Sequence, residues 1–221
     1  MNLNDRLDFF FRDPTTEPVI QPGNNRFSNL YLLRRDINTC FASAAIWPGV
    51  MGIMAGIDLV AKFHAGTDVT GVGDRFRTFV DQYITHDAPN SEVIYQLRNS
   101  MLHSFGLYSK RNVPAAQRAA AGFERQDYAF LLRGNPQAPG AIVTLLNQHP
   151  VQTVGAAPNP VRILVTDYQI DVHALRQAFD GAMAAYRQDI ENTPQLQANF
   201  LMHANTDIHS LLDMYAVTVA A

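Results

Sequence analysis

Apolar positions fall at helical spacing over most of the first half of the chain. In "SNLYLLRRDINTCFASAAIW", Leu30, Leu33, Ile37, Phe41 and Ala44 or Ala45 recur every three or four residues, which predicts a helix. Trp47-Pro48 interrupts it, and Pro48 suits the first position of a second helix running to Gly66, a C-terminal stop. Asp74 is placed to cap "RFRTFVDQYI", where Phe76, Phe79, Val80 and Tyr83 share one side. After "HDAPN", Ser91 or Asn90 can cap "SEVIYQLRNSML", with Glu92 favourable in its first turn. Its apolar stripe is Val93, Ile94, Leu97 and Met101, and Gly106 ends it. Short connections between these helices predict an antiparallel bundle.

After about residue 106 the pattern changes to short β-branched or aromatic runs: "QDYAFLLRG", "AIVTLLNQ", "VQTVG" and "VRILVTDYQI". Val161, Ile163 and Val165 alternate with Arg162, Leu164 and Thr166, as in a half-buried strand, and "GAAPNP" before them is a turn. This predicts a small antiparallel sheet of two to four strands. Helix returns at Asp171, a cap, with Val172, Leu175, Phe179, Met183 and Tyr186 as its apolar face. Thr193-Pro194 opens a last helical region, with a break expected near Asn205-Thr206. The fold class expected is mainly α (α+β), an antiparallel helical bundle with a small antiparallel β-sheet inserted at about 125–170. Residues 1–25, rich in Pro, Asn and Asp, read as an N-terminal arm. Residues 26–221 read as one helical domain with its β insertion at about 107–170.

Composition narrows the function classes. The 221 residues, 47% hydrophobic and 17% charged, are enough for one well-buried core. A net charge of −3 excludes a surface that is basic all over, so a nucleic-acid contact has to be a local patch or a cleft formed by association. The basic residues are almost all arginine; only Lys62 and Lys110 are lysine. A GC-rich genome produces that bias without any function, and arginine forks suited to phosphate are the other reading.

The lone Cys40 cannot build a disulfide framework, which points to a reducing, cytoplasmic setting. The aspartates of "MNLNDRLDFFFRDP" do not fit a secretion signal. From Ile37 to Ile57 no residue is charged, close to the length of a bilayer span. Pro48 in its middle, Asn38, Thr39 and Ser43, and Asp58 and Lys62 directly after it favour a buried hairpin or kinked helix. In that reading Gly52 and Gly56 allow close helix packing, and no membrane contact is expected.

The candidate chemistry lies in "YQLRNSMLHSFG", Tyr95 to Gly106. Arg98 is followed by Asn99, and His103 sits at the helix end. At 100° per residue, His103 lies about 140° round the helix from Arg98. The two meet only if the helix unwinds before His103, or if a second copy supplies the partner across a two-fold axis. The bland alternative pairs Arg98 with a carboxylate and leaves His103 capping the last carbonyls.

"LRNSMLHSFG" resembles the signature of the HEPN superfamily (higher eukaryotes and prokaryotes nucleotide-binding domains): an arginine, a polar residue, then a histidine a turn or more later. The resemblance covers about residues 28–106, with Asp171–Ile190 as a further bundle helix, and leaves the strand-rich part as an insertion. It implies metal-independent RNA cleavage by a homodimer, without a cofactor, carried by Arg98, Asn99 and His103. In that chemistry His103 takes a ribose 2′-OH proton or gives one to the leaving 5′ oxygen, and Arg98 holds the scissile phosphate. Asn99 orients either group, and the product end is a 2′,3′-cyclic phosphate. The partners implied are RNA or a nucleotide and, for a toxin or defence effector, an antitoxin protein. The alternative is a non-catalytic module of the same type that binds a nucleotide, RNA or protein, and a third is an unrelated helical protein with a coincidental motif.

Other polar groups carry less. Asp207 and His209 in "HANTDIH" face apart on a helix, and no metal site is expected. His64 and His86 suit helix ends. "GTDVTGVGDRF" lacks the lysine of a phosphate loop.

Overall fold

The computed structural model describes residues 2–16, 27–67, 71–155 and 160–214, with side chains as far as residue 204. In chain order its helices are α1 (Leu3–Phe10), α2 (Asn29–Ala42), α3 (Ile46–Ala65), α4 (Val72–Val80), α5 (Ala88–Ser104), the short α6 (Arg118–Ala121), α7 (Val172–Asn192) and α8 (Pro194–Met214). The strands are β1 (Tyr108–Asn112), β2 (Arg125–Arg133), β3 (Val143–Gln148), β4 (Gln152–Val154) and β5 (Val161–Asp171). A single π-helical turn, Asp81–Thr85, continues α4. The chain divides into two compact units, one of Met1–Ile84 with Ala178–Ala221 and one of Thr85–Gln177.

The first unit is helical. Three glycines of α3 lie where a Cβ has no room: it would stand 2.8 Å from the Phe41 ring at Gly49, 2.8 Å from Ile37 at Gly52 and 2.7 Å from the Phe179 ring at Gly56. Val50, Ile53, Met54, Ile57, Val60 and Ala61 are fully buried. Although α3 is long and apolar enough to cross a membrane, it is packed here as a core helix, in line with the close packing expected of Gly52 and Gly56. Residues 3–10, read from sequence as part of an arm, form a capped helix whose Leu7 and Phe10 are fully buried. Phe10 joins an aromatic cluster, 4.6 Å from the Phe63 ring and 5.6 Å from the Phe200 ring. The Pro- and Asn-rich stretch suggested an arm, and the apolar Leu7-x-x-Phe10-Phe11 spacing outweighs it.

The second unit joins α5 to a five-stranded sheet of order β1-β2-β5-β3, with β4 also on β5. β1 is antiparallel to β2, while β3 and β4 lie antiparallel along one edge of β5. The other edge of β5 pairs in parallel with β2, from Arg125↔Ile163 to Arg133↔Asp171. This overturns the expected helical bundle with a small antiparallel insertion. The protein is α+β, its sheet is mixed, and the helix carrying the arginine–histidine motif belongs with the strands. Residue composition favours strand without fixing its direction. Here the β3–β4 segment folds back on β5 and leaves the far edge of β5 to β2. The alternation expected in β5 also fails: Ile163 and Leu164 are both buried, and Val161 is exposed. "GAAPNP" lies mostly outside the described residues.

Two helix starts differ from the expectation. Gly71, in the left-handed region at φ 63°, precedes α4, and Asp74 instead bonds Arg77 inside the first turn. α5 begins at Ala88, because Pro89 pre-sets the backbone of its first turn. Ser91 therefore lies within the helix and donates to the Ala88 carbonyl (2.8 Å). The expected stripe is observed: Val93, Ile94, Leu97 and Met101 are buried. The backbone of α8 continues through Asn205-Thr206.

Asp171 caps α7 as expected and closes the sheet at the same position. Its Oδ1 accepts from the His173 (3.0 Å) and Ala174 (2.9 Å) backbone N–H, and its Oδ2 from Gly140 (2.8 Å). Burial opposes ionisation, but the donors of Ala174, Gly140 and His173 outweigh it and hold the carboxyl below its ordinary value of 3.8. A depressed folded-state value means that this stability is present above the ordinary value and lost as pH falls through the folded one. Asp171→Ala is expected to lower stability by about 1–2 kcal/mol at neutral pH, read as an earlier urea midpoint. The gap to wild type should close as the pH drops below 3.8.

Candidate functional site

Helix α5 is fixed on β1 by a ladder of polar contacts one turn apart. Ser109 Oγ donates to Gln96 Oε1 (2.6 Å), both residues being buried, and Gln96 Nε2 donates to Glu92 Oε1 (2.7 Å). Glu92 also pairs with Arg111 Nε at 3.2 Å. Each of these buried polar groups finds a partner, as desolvation requires. With its apolar stripe and this ladder in place, α5 cannot rotate freely, and its next half turn carries Arg98 and Asn99.

At the C-terminus of α5 the helix widens. The N–H of Phe105 bonds the Ser100 carbonyl five residues back, and the N–H of Gly106 bonds the same oxygen at 3.0 Å. Bonding over five residues is the π-helical pattern, so each residue of this turn advances less than in an α-helix. The turn closes through Phe105 at φ 48° and ψ 39°, the left-handed region that glycine normally fills, at a cost of about 1–2 kcal/mol. Gly106 was expected to supply that stop, and it does not have a positive φ. The chain beyond is pinned at once, since the Leu107 carbonyl accepts from Phe130 N–H (2.9 Å).

The result brings all three motif residues together within one chain. Arg98 Nη1 lies 2.7 Å from His103 Nε2 and donates to Asn99 Oδ1 at 3.1 Å. Arg98 and Asn99 are half-buried, and His103 is exposed. A guanidinium only donates, so in this contact His103 Nε2 is the accepting nitrogen. The lone pair needed for proton abstraction thus sits against a cation suited to phosphate, at an accessible helix end. The ideal-helix estimate compared directions alone, and the long Arg98 side chain spans the difference to reach His103.

The other candidates do not assemble. His203 is buried against the Phe63 ring (5.5 Å), and the side chains of Asp207 and His209 lie outside the described residues. Among the described residues no three His, Cys, Asp or Glu side chains are placed to hold a metal ion. His64, near the end of α3, packs edge-on to Phe79, Tyr83 and Tyr186, and burial lowers its pKa despite a Gln82 hydrogen bond and the charge of Asp189. Two polar groups escaped the sequence reading. His149 Nε2 meets Asp167 Oδ2 at 2.8 Å, and Asp127, 2% exposed, holds Tyr108 Oη (2.5 Å) and both arms of Arg125 (2.7 and 2.8 Å). Their partners are brought together by strand pairing, or by alternation along one strand face, and no local spacing announces a charge network there.

Compared with models of known families, with characterised proteins and with solved structures, the chain matches none.

The donor assignment can be measured directly. Long-range proton–nitrogen NMR should show His103 protonated on Nδ1 in the wild type, and a shift toward protonation on Nε2 in Arg98→Ala. An unchanged tautomer would mean that the guanidinium does not control the ring.

Proposed function

We propose that Arg98, Asn99 and His103 form the site of a metal-independent endoribonuclease. The single observation that carries this reading is the 2.7 Å approach of the Arg98 guanidinium to the accepting nitrogen of His103 on an accessible surface. The proposal rests on that geometry and on the motif's likeness to HEPN ribonucleases; it takes nothing from the bundle fold of that family.

When a phosphodiester enters, its non-bridging oxygens compete for the Arg98 N–H groups, and Asn99 keeps the guanidinium base in place. His103 Nε2, released from Arg98, accepts the proton of the ribose 2′-OH. The 2′ oxygen then bonds to phosphorus, the bond from phosphorus to the 5′ oxygen breaks, and Arg98 neutralises the charge that gathers on the phosphoryl oxygens. The products are a 2′,3′-cyclic phosphate and a 5′-hydroxyl end. Attack and departure occur on opposite sides of phosphorus, so one imidazole cannot serve both. The leaving oxygen takes its proton from the His103 of a second copy in a homodimer, which enters the reaction as the imidazolium and leaves it neutral, while the first copy's ring ends protonated. The two-fold axis is thus retained for the second proton, since one chain already brings Arg98 to His103.

A ribonuclease of this kind degrades the RNA of its own cell unless restrained, which is the reason to expect an inhibitory protein partner. A cytoplasmic setting accompanies this reading.

The test is cleavage of a mixed RNA pool in EDTA. Wild type should leave cyclic-phosphate ends, and His103→Ala and Arg98→Ala should each lose about 10²–10⁴-fold in rate. Cleavage that survives both substitutions assigns the activity elsewhere. A wild type that binds RNA without cutting it turns the site into a binding module.

A further inference from the structure

Phe105 is 73% exposed, although it is a large apolar side chain. It also occupies a left-handed backbone position that its Cβ disfavours, with a glycine as the next residue in sequence. Stability alone argues for the opposite order, with glycine in the strained position and the aromatic ring buried. An exposed ring held by a strained backbone, two residues from His103, calls for a role outside the fold. The segment that follows has the same character. Tyr108, 43% exposed, stands at i,i+2 from Lys110 on one face of β1, and the Lys110 ammonium lies 5.8 Å from the centre of its ring. Aromatic faces interleaved with cations are how proteins hold unpaired bases along a phosphate backbone.

We propose that Phe105 is the stacking platform for the nucleobase beside the scissile phosphate. This inference rests on the ribonuclease reading of Arg98 and His103. In a duplex each base is already stacked and paired, and its face is not offered to a side chain. In a single strand the base 3′ or 5′ to the phosphate swings onto the ring, and that contact fixes the phosphate against Arg98. The left-handed turn serves both purposes. It closes the helix end that carries His103, and it holds the ring outward with little freedom to lose on binding.

The experiment uses the full-length protein and a short single-stranded RNA carrying 2′-O-methyl groups, which binds and cannot be cut. Phe105→Ala should weaken binding roughly 5- to 100-fold, and Phe105→Trp should restore it. An abasic nucleotide at the stacked position should cost the wild type the same factor and cost Phe105→Ala nothing more. Duplex RNA should bind wild type and Phe105→Ala alike. Phe105→Gly should lose binding while raising the Tm by roughly 2–4 °C, because glycine relieves the backbone without giving up a buried contact. A Phe105→Gly protein that melts lower, or a Phe105→Ala protein with wild-type affinity, overturns the proposal. The outcomes separate from those of the ribonuclease test. Phe105-dependent binding without any cleavage of ordinary RNA leaves stacking in place and removes catalysis; cleavage that ignores Phe105 does the reverse.

Discussion

Two N–H groups, those of Phe105 and Gly106, converge on one acceptor, the Ser100 carbonyl, and that convergence ends the helix on which the site is built. That convergence closes the helix directly after His103, whose ring stands 2.7 Å from the Arg98 guanidinium. The closure is bought with backbone strain at Phe105. It persists because both sides of it are held: Met101 is buried just before it, and the Leu107 carbonyl is bonded to β2 just after it. Strained local geometry at a polar cluster is what over-determined surroundings permit.

Polar contacts rather than further apolar area set the orientation of α5. A purely apolar stripe would tolerate small rotations of the helix about its axis. The Ser109–Gln96–Glu92–Arg111 ladder does not, because turning the helix would strand buried donors and acceptors. The aspartates at the sheet act similarly. Asp127 gathers Tyr108 and Arg125, and Asp171 satisfies three backbone N–H groups where β5 becomes α7. A chain with a net charge of −3 thus spends several carboxylates on internal donors and still carries Arg98, Lys110 and Arg111 close together in sequence.

Much of the helical pattern was legible in the sequence, and the places where it was not have physical causes. The stripe Val93, Ile94, Leu97 and Met101, the Gly66 stop, the Asp171 cap and the Thr193-Pro194 start all follow from local rules, and the structure has them. The sheet did not follow, because the partner of a strand is a non-local choice. β2 and β5 are each consistent with an antiparallel or a parallel neighbour, and only the folding back of β3 and β4 decides between them. At the site, residue identities were legible and their geometry was not. Gly106 announced a left-handed stop one residue late, and nothing in the letters "HSFG" says that a phenylalanine will take it.

The division of the chain carries a consequence for how the protein is made. Thr85–Gln177 is one uninterrupted stretch, whereas the helical unit is assembled from segments on either side of it. During synthesis the strand-bearing unit has all its parts while the helical unit still waits for α7 from Ala178 onward and for α8. Until Phe179 emerges, the notch at Gly56 on α3 has no ring to fill it, although Ile37 and Phe41 of α2 already cover the same helix at Gly52 and Gly49. Completion of the helical core therefore waits on a segment made after the whole strand-bearing unit, and a chain cut short before Phe179 would leave that notch open.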